Sequence, residues 1–279
     1  MILDTIEIHS GLGNQMFEYA FFLSLKHHHP WRVILLDITN SKHVHQGYEL
    51  PRIFGIKHNL RLKTYYAINY FRNVHSISYE FHEKSPFLYD ISAYNQKKGT
   101  YYSGCWQSEQ YFKGIESKVR DAFVFKESLL NSRTIELSRF LMSVAGSVSI
   151  HIRRGDYLEE NRYTCTLDYY NNAINYIKNK IDNPHFVIFS DDMDWVKEKL
   201  IISNAIYVDW NTAKDSWQDM FLMSRCKHNI IANSTFSWWG AWLNNNPQKI
   251  VIVPPIWLDQ PTKSIDIIPH DWIILENES

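Results

Sequence analysis

The chain has 279 residues, 45% of them hydrophobic, which is enough for one large or two medium globular domains. Its 29 basic and 30 acidic residues balance, which argues against a general binder of nucleic acid or acidic polymers. Its three cysteines are far apart, no apolar run reaches the ~18 residues of a membrane-spanning helix, and no signal peptide is visible. We therefore expect a cytoplasmic protein with reduced thiols.

The first residues predict the opening of an α/β domain. Residues 2–9 can form a strand, which leads through a Gly-x-Gly turn into a helical stretch that reaches about Lys26. A strand, a glycine turn and a buried helix direct backbone N–H groups toward a ligand. Gly13, Asn14 and Gln15 are therefore predicted to bind a phosphate or sugar, although the two side-chain amides could equally cap the helix.

The rest of the first half is less regular. Residues 32–37 predict a second strand, whereas residues 40–100 lack periodicity and read as short helices and loops. Residues 99–109 predict a strand that enters a helix capped near Ser108, and residues 115–143 have helical patterning.

From about residue 144, strands and helices alternate regularly. The predicted strands are 147–153, 185–190, 205–208, 228–232 and 249–253, and the predicted helices are 166–180, 193–200, 214–225 and 236–244. Alternation of this kind indicates a parallel sheet with crossover helices, so we place a domain boundary near 140–147.

Two adjacent arginines follow the first strand of this half. Arg153 and Arg154 stand at its carboxyl end, where open α/β sheets bind ligands, and Gly155 allows a sharp bend before Asp156. Two neighbouring guanidinium groups suit a ligand with two negative centres, such as a pyrophosphate. The alternative is a surface arginine pair with Asp156 as its salt-bridge partner.

Acidic residues occur at two further places. Asp191 and Asp192 end a short strand, and we expect Asp192 to cap the following helix while Asp191 faces a ligand. Asp215 and Asp219 share one face of a helix because they lie four residues apart. Asp219 could accept hydrogen bonds from guanine N1–H and its exocyclic amine. The alternative is a solvated face, with Asp215 as the N-cap.

A hydroxyl-rich segment starts the helix that follows the strand 228–232. Ser234 and Thr235 at a helix N-terminus, with free N–H groups and the positive end of the dipole, can bind an anion without a metal. The alternative is an ordinary N-cap followed by a tryptophan-rich core.

Four motifs occur in a fixed order. They are Gly11-Leu-Gly-Asn-Gln-Met-Phe17, His151-Ile-Arg-Arg-Gly-Asp-Tyr157, Phe189-Ser-Asp-Asp192 and Asn233-Ser-Thr-Phe-Ser-Trp-Trp-Gly240. In this combination the chain closely resembles the bacterial α-1,2-fucosyltransferases of glycosyltransferase family 11, over about residues 6–255. More distantly, the His-x-Arg-Arg-x-Asp element is similar to that of α-1,6- and protein O-fucosyltransferases.

The resemblance implies an α/β, GT-B-like fold of two Rossmann-like domains that face a cleft. The N-terminal, acceptor-side domain would be residues 1–143, with residues 40–100 contacting the acceptor. The GDP-fucose-binding domain would be residues 144–279, and the tail 256–279 would pack back on the N-terminal domain.

The resemblance also implies an activity. An inverting enzyme of this family moves L-fucose from GDP-β-L-fucose to the 2-hydroxyl of a terminal β-galactoside, with no required metal or other cofactor. The acceptor would be a galactose-terminated oligosaccharide or lipid-linked glycan, made for O-antigen or another surface polysaccharide, with association at the inner face of the membrane left open. The alternatives are a related glycosyltransferase with another linkage or nucleotide sugar, and a non-catalytic sugar- or nucleotide-binding protein.

The matching motifs assign the roles expected from the family to residues of this chain. Arg153 and Arg154 would hold the pyrophosphate as catalytic residues, with Asp156 orienting them or acting as the base. The donor-binding set would be Gly13, Asn14, Gln15, His151, Asp191, Asp219, Ser234, Thr235 and Phe236. The other candidate bases are Glu159, Glu160 and His9.

Overall fold

The computed structural model describes residues 2–43, 45–56, 61–62 and 79–275. The chain divides into two compact units, residues 1–126 with 266–268, and residues 127–265 with 269–279. The sequence predicted the division at 143/144, so the helix that ends at residue 143 lies in the second unit. The reason is that this helix packs on a helix of the second unit, and its capping residue Asn131 donates a 2.8 Å hydrogen bond to Asn211. Of the tail residues that the structure describes, 266–268 belong to the first unit.

The first unit is built on a parallel sheet with the strand order β3-β2-β1-β5-β4. Its strands are β1 (Leu3–Glu7), β2 (Val33–Asp37), β3 (Arg61–Leu62), β4 (Tyr79–His82) and β5 (Thr100–Ser103). Its helices are α1 (Leu12–His28), α2 (Leu50–Phe54) and α3 (Glu116–Ala122), with 3₁₀ turns at Asn40–His43, Ile91–Asn95 and Glu109–Phe112. The predicted β1, α1 and β2 are confirmed, as is the Ser108 cap, whereas β3 and β4 lie in the stretch 40–100 that was predicted as short helices and loops.

A buried ion pair joins three strands of this sheet. Arg32, just before β2, donates from Nη1 to Asp4 Oδ2 at 3.1 Å, and the N–H of Thr100 donates to Asp4 Oδ1 at 3.0 Å. The helix α1 is buried along most of its length, as its apolar residues on most faces predicted. Of the irregular stretch 40–100, residues 44, 57–60 and 63–78 lie outside the described residues.

The second unit holds a six-stranded parallel sheet with the order β13-β10-β9-β6-β7-β8. Its strands are β6 (Ser147–Ile152), β7 (His185–Ser190), β8 (Ile206–Val208), β9 (His228–Ile230), β10 (Val251–Val253) and β13 (Ile273–Ile274), and β11 (Ile256–Trp257) pairs antiparallel with β12 (Gln260–Pro261). Its helices are α4 (Ser132–Ser143), α5 (Gly155–Glu159), α6 (Leu167–Lys178), α7 (Met193–Lys199), α8 (Trp217–Arg225) and α9 (Thr235–Leu243), with 3₁₀ turns at Glu127–Leu129, Ala213–Asp215 and Thr262–Ser264.

The predicted α/β alternation of this half is confirmed, whereas the short helix α5 and the two-residue strands β11, β12 and β13 were not predicted. Val148, Ile150 and Ile152 of β6 enter a core cluster that includes Tyr169 and Ile174 of α6. The alternate residues of β6 face the other side of the sheet, where His151 lies beside the start of α9. All three cysteines are free thiols. Within the described residues, none of the helices has the length and apolar character needed to cross a membrane.

Candidate active site

The carboxyl ends of three neighbouring strands meet at one edge of the second sheet. β6 lies between β7 and β9. Arg153 and Arg154 follow β6, Asp191–Asp192 follows β7, and Ser234–Thr235 starts the helix after β9. The structure therefore brings three of the four sequence motifs together at the edge where parallel sheets bind ligands.

Arg153 is held by carboxylates on two sides. Its Nη2 donates to Asp156 Oδ2 at 2.6 Å, and its Nη1 lies 3.2 Å from Asp191 Oδ2. Burial alone would lower the pKa of this guanidinium, but the charges of Asp191 and Asp156 raise it above its ordinary value. The salt-bridge alternative therefore describes Arg153 well, and Asp156 lies where it orients this side chain.

Arg154 is held differently. Its Nε donates to Asp192 Oδ2 at 3.1 Å, its backbone N–H donates to Asp191 Oδ1 at 2.9 Å, and its guanidinium carbon lies 3.7 Å from the centre of the Trp195 ring. Neither terminal nitrogen makes a hydrogen bond to a residue that the structure describes. The planar group is thus fixed on one edge and one face, while its two terminal nitrogens remain available.

The Asp191 carboxylate contacts both arginines, whereas the sequence predicted that it would face a ligand. One carboxylate oxygen accepts from the Arg154 backbone and the other pairs with Arg153. Gly155 lies against the same carboxylate, because a Cβ at this position would be only 3.1 Å from Asp191 Oδ2. A side chain at Gly155 would therefore press on the Asp191 carboxylate, and Gly155 does not have the positive φ that a sharp glycine bend would show.

Asp192 caps α7, as predicted. Its Oδ1 accepts a hydrogen bond from the N–H of Trp195 at 3.3 Å. Its Oδ2 accepts from Arg154, so one carboxylate supports both the helix start and the arginine. Asp215 is not an N-cap, because α8 starts after Ser216 and Asp215 lies in the preceding 3₁₀ turn.

The first turn of α9 has no side-chain cap. Ser234 is the N-cap residue in extended conformation, with φ −134° and ψ 129°, yet its hydroxyl accepts no capping hydrogen bond. Asn233 fixes the preceding turn by donating to the Tyr163 carbonyl at 2.9 Å, while the Asn233 carbonyl accepts from the Tyr157 hydroxyl at 3.0 Å. Asn233 and Tyr157 therefore hold the helix start in place, and Ser234 adds no side-chain cap to it.

His151 is a neutral imidazole beside this helix start. Its ring centre lies 5.7 Å from that of Phe236, its side chain is 5% exposed, and its Nδ1 has no hydrogen-bond partner among the described residues. Burial, aided by the charge of Arg153, lowers the pKa of His151 to about 3. A buried polar nitrogen without a partner is uncommon and marks this position as one that a ligand can complete.

Asp219 lies in the first turn of α8. Its Oδ1 accepts a 2.8 Å hydrogen bond from Asn211 Nδ2, and Asn211 Oδ1 accepts in turn from Asn131 Nδ2 at 2.8 Å. Burial raises the pKa of Asp219 to about 8, although the Asn211 amide opposes the rise. No hydrogen bond or ion pair between described residues joins Asp219 to the arginine pair.

The predicted donor-binding residues of the first unit divide into two kinds. Gln15 is fully buried: its Nε2 donates to the carbonyls of Ser10 and Gly47, and its Oε1 accepts from the Glu49 N–H. Its amide holds two loops together, so the expectation that it contacts a donor is not supported.

Asn14 lies in the first turn of α1, where its Oδ1 accepts from Gln107 Nε2 at 3.0 Å. Gly13 is buried in the same turn. Both residues therefore lie at the carboxyl edge of the first sheet, as the strand–turn–helix pattern predicted.

The candidate bases differ in their surroundings. Asp156 is paired with Arg153, and Glu160 forms an ion pair with Arg162 in which both side chains are about half exposed. Glu159 is exposed, and His9 is paired with a buried carboxylate in the first unit. Within the part of the chain that is described, no three His, Cys, Asp or Glu side chains are grouped so that they could hold a metal ion.

Two contributors were not found from the sequence. Trp195 supports Arg154 by stacking, and a tryptophan in the first turn of the helix after Asp192 was a usable signal. Asn211 orients Asp219 from an irregular segment, where nothing in the sequence distinguishes this buried residue from other asparagines of the chain.

Comparison with known proteins relates the whole chain to one family. The model of Glycosyl transferase family 11 matches residues 2–276. An alpha-1,2-colitosyltransferase of Escherichia coli is 33% identical over 95% of this chain and 96% of its own length. The O-antigen biosynthesis glycosyltransferase WbnK of Escherichia coli is 30% identical over 95% of this chain and 98% of its own. Galactoside alpha-(1,2)-fucosyltransferase 1 of Aotus azarae is 27% identical over 50% of this chain and 42% of its own.

Solved structures agree at the level of the fold. The NodZ alpha-1,6-fucosyltransferase, soaked with GDP-fucose, has a TM-score of 0.53 at 13% identity and covers 90% of this chain and 94% of its own. A family 9 glycosyl transferase from Veillonella parvula has a TM-score of 0.51 at 12% identity and covers 100% of this chain and 88% of its own. The α/β, GT-B-like fold that the resemblance implied is thereby confirmed. Because the family model spans nearly every residue and two full-length relatives are 33% and 30% identical, the chain belongs to glycosyl transferase family 11 and is a glycosyltransferase.

Proposed function

We propose that this enzyme transfers L-fucose from GDP-β-L-fucose to the 2-hydroxyl of a terminal β-galactoside, with inversion at the anomeric carbon. The observation that carries the proposal is Arg154. Asp192 and Trp195 fix its guanidinium, yet its terminal nitrogens make no hydrogen bond within the described structure. A planar group held with two donors outward suits the oxygens of a phosphate.

The reaction needs a phosphate-binding site because of its leaving group. Glycosyl transfer develops negative charge on the departing GDP, and preorganised donors lower the barrier by stabilising that charge. Arg154 and the first turn of α9, which follows Ser234 without a side-chain cap, would supply those donors, with Thr235 and Phe236 lining the site. His151 lies beside them as a neutral imidazole and adds a hydrogen-bonding nitrogen without further charge.

Formal charge at this edge does not favour anions by itself. Three aspartates, at 156, 191 and 192, surround the two arginines. Phosphate binding would therefore depend on directed hydrogen bonds from Arg154 and the helix amides. In this scheme Asp156 and Asp191 orient Arg153, and no metal is required.

Asp219 would recognise the guanine base. A carboxylate can accept from guanine N1–H and the exocyclic amine together. Asn211 occupies one oxygen of the half-buried carboxylate and fixes its plane.

The linkage and the acceptor are taken from the relatives. Two of them are named for α-1,2 transfer, one of them to galactosides, and the GDP-fucose-soaked NodZ structure shares the fold. Transfer of colitose, which lacks the 3-hydroxyl of fucose, is the second candidate, because the 33% identical relative is named for that sugar. The name of WbnK supports a role in O-antigen synthesis.

A GDP-release assay tests the proposal. The enzyme is incubated with a panel of β-galactosides that includes lactose and, in separate reactions, with GDP-fucose or GDP-colitose, with and without EDTA, and the product linkage is read by NMR. We expect GDP release with GDP-fucose, an α-1,2 linkage and no effect of EDTA. Release only with GDP-colitose supports the second candidate, and absence of release with every β-galactoside tried contradicts both.

A further inference from the structure

A chain of hydrogen bonds leads from the start of α4 to Asp219. Asn211 lies at its centre: its Nδ2 donates to Asp219 Oδ1 at 2.8 Å, and its Oδ1 accepts from Asn131 Nδ2, also at 2.8 Å. The Thr134 hydroxyl donates to the same Asn211 oxygen at 3.2 Å. Two side chains at the start of α4 therefore reach Asp219 through one amide.

The network is buried and is tied to α8 at a second point. Asn211, Thr134 and Gln218 are all buried. The backbone N–H of Asn131 donates to Gln218 Oε1 at 3.0 Å, and Gln218 directly precedes Asp219 on α8. Buried polar networks whose members are hydrogen-bonded hold one geometry. The start of α4 and the first turn of α8 are therefore fixed relative to each other at this point.

Two groups that can only donate set the direction of these hydrogen bonds. The backbone N–H of Thr134 donates to Asn131 Oδ1 at 2.9 Å, which turns the Asn131 NH₂ group toward Asn211. The indole Nε1–H of Trp210 donates to the Thr134 hydroxyl at 3.2 Å, which leaves the hydroxyl hydrogen for Asn211. Asn211 Oδ1 thus receives two donors, and its NH₂ group is directed at Asp219.

An Asn211 amide with the opposite orientation would be unfavourable at both ends. Its NH₂ group would face the donors of Asn131 and Thr134, and its oxygen would face the Asp219 carboxylate. In the observed orientation a donor points at Asp219 Oδ1, and such a donor stabilises a carboxylate more than a neutral acid. The network therefore favours the ionised form of Asp219.

Burial and this one amide determine the ionisation of Asp219. Burial raises its pKa to about 8, and the Asn211 hydrogen bond opposes the rise. The charged side chains nearby are Arg133 and Asp209, which lie 3.8 Å apart and pair with each other, and Asp215 in the turn before α8. None of these three shifts the pKa of Asp219. The helix α9, which packs on α8, carries no charged residue.

We propose that Asn131 and Thr134 are positioning residues for recognition of the nucleotide base: through Asn211 they keep Asp219 an acceptor of hydrogen bonds. Asp219 Oδ2 makes no hydrogen bond to a described residue and is left for the ligand. Guanine presents two neighbouring donors, N1–H and the exocyclic amine, whereas adenine presents a donor beside an acceptor. A group that only accepts therefore selects guanine. The inference rests on the proposed function in one respect, namely that Asp219 contacts the base.

Calorimetry of GDP binding at pH 7 and at pH 9 tests this role. Asn131→Ser keeps an oxygen that can cap α4 but removes the donor to Asn211. Loss of that donor raises the pKa of Asp219 further, so less carboxylate is present at neutral pH. We expect GDP to bind about tenfold more weakly at pH 7 but only about twofold more weakly at pH 9. Ser132→Ala, at the neighbouring exposed position, is the control and should bind GDP as the wild type does.

A double-variant cycle separates this inference from the proposed function. Asp219→Asn should weaken GDP binding, and adding Asn131→Ser to it should cause no further loss. If Asp219→Asn binds GDP as the wild type does, the assignment of the base to Asp219 is wrong and the inference falls with it. If Asn131→Ser binds as the wild type does, loses equally at both pH values, or adds its loss to that of Asp219→Asn, the inference alone is overturned.

Thr134→Val supplies a second test if Asn131→Ser fails to fold. It removes the other donor to Asn211 at nearly the same side-chain volume and keeps the backbone N–H that the α4 cap uses. GDP affinity at pH 7 should fall about threefold in Thr134→Val, whereas Thr134→Ser retains the hydroxyl and should bind nearly as the wild type does. Equal GDP affinity of the two folded variants would contradict the inference.

Discussion

The two units place charged groups at the same edge of a parallel sheet but pair them differently. In the first unit one cation, His9, is matched by Glu18, which is fully buried and uses both oxygens on it. In the second unit Arg153 is similarly enclosed, but Arg154 is held by Nε and by its face only. Counting charges would describe both edges as neutralised. The remaining atoms distinguish them: both ring nitrogens of His9 contact Glu18 or Cys105, whereas the two terminal nitrogens of Arg154 make no hydrogen bond to a described residue.

The largest expected effect comes from removing the available nitrogens. Arg154→Ala should lower turnover with GDP-fucose by at least about a hundredfold, or ~3 kcal/mol, because the leaving group loses a preorganised donor. Arg139→Ala, an exposed arginine on α4, is the matched control. Steady-state kinetics and a thermal melt of each variant give the measurement. Near-normal turnover by a folded Arg154→Ala protein would contradict the proposal that the terminal nitrogens of Arg154 bind the phosphate.

A second test asks whether Gln15, whose side-chain amide is fully hydrogen-bonded, stabilises the first unit or contacts the donor. Gln15→Ala should cost about 2–3 kcal/mol of unfolding free energy, because three buried hydrogen bonds are lost. The KM for GDP-fucose should change little. Denaturant unfolding and kinetics on the same sample decide the matter: a stable variant with a raised donor KM would restore Gln15 as a donor contact.

The pH dependence of donor binding depends on Asp219. Burial raises the pKa of Asp219 to about 8, so the free protein holds this group largely protonated at neutral pH. Guanine recognition needs the carboxylate, hence binding releases a proton and affinity for GDP rises with pH. The expected slope is up to about tenfold per pH unit below the pKa, or ~1.4 kcal/mol.

Calorimetry of GDP binding in buffers of different ionisation enthalpy measures that proton. Asp219→Asn should bind GDP more weakly and lose the slope, whereas Asp215→Asn, in the turn just before α8, should keep both. A slope that survives in Asp219→Asn would assign the proton to another group.

The smallest expected effect concerns the support of Arg154. Trp195→Leu should raise the KM for GDP-fucose about fivefold, since a stacked guanidinium contributes ~1 kcal/mol. Trp195→Phe keeps a ring and should restore most of the affinity. Equal behaviour of the two variants would mean that the helix start, and not the aromatic face, positions the arginine.

Local patterns predicted the second unit well. The alternation of Val148, Ile150 and Ile152 with polar residues is a property of β6 alone, and the capping role of Asp192 depends only on the helix that follows it. The five-residue α5 carries too few turns for a periodic signal.

The sequence did not predict side-chain contacts between elements that are distant along the chain. Arg154 and Trp195 belong to successive βα units, and only the register of β6 against β7 brings them together. The same holds for His9 and Glu18, where a buried carboxylate on an apolar helix gave no sign of its partner. The domain boundary lies earlier in the chain than predicted, because α4 packs by its apolar face on α8. This contact joins segments that are distant along the chain.

Asp192 joins two tasks in one carboxylate, since Oδ1 closes the first turn of α7 and Oδ2 holds Arg154. Any ligand that draws the guanidinium toward itself also pulls on that cap. Occupancy of the phosphate site should thus be transmitted to the fraying of α7, and the exchange rate of the Trp195 amide hydrogen becomes a reporter of whether the donor is bound.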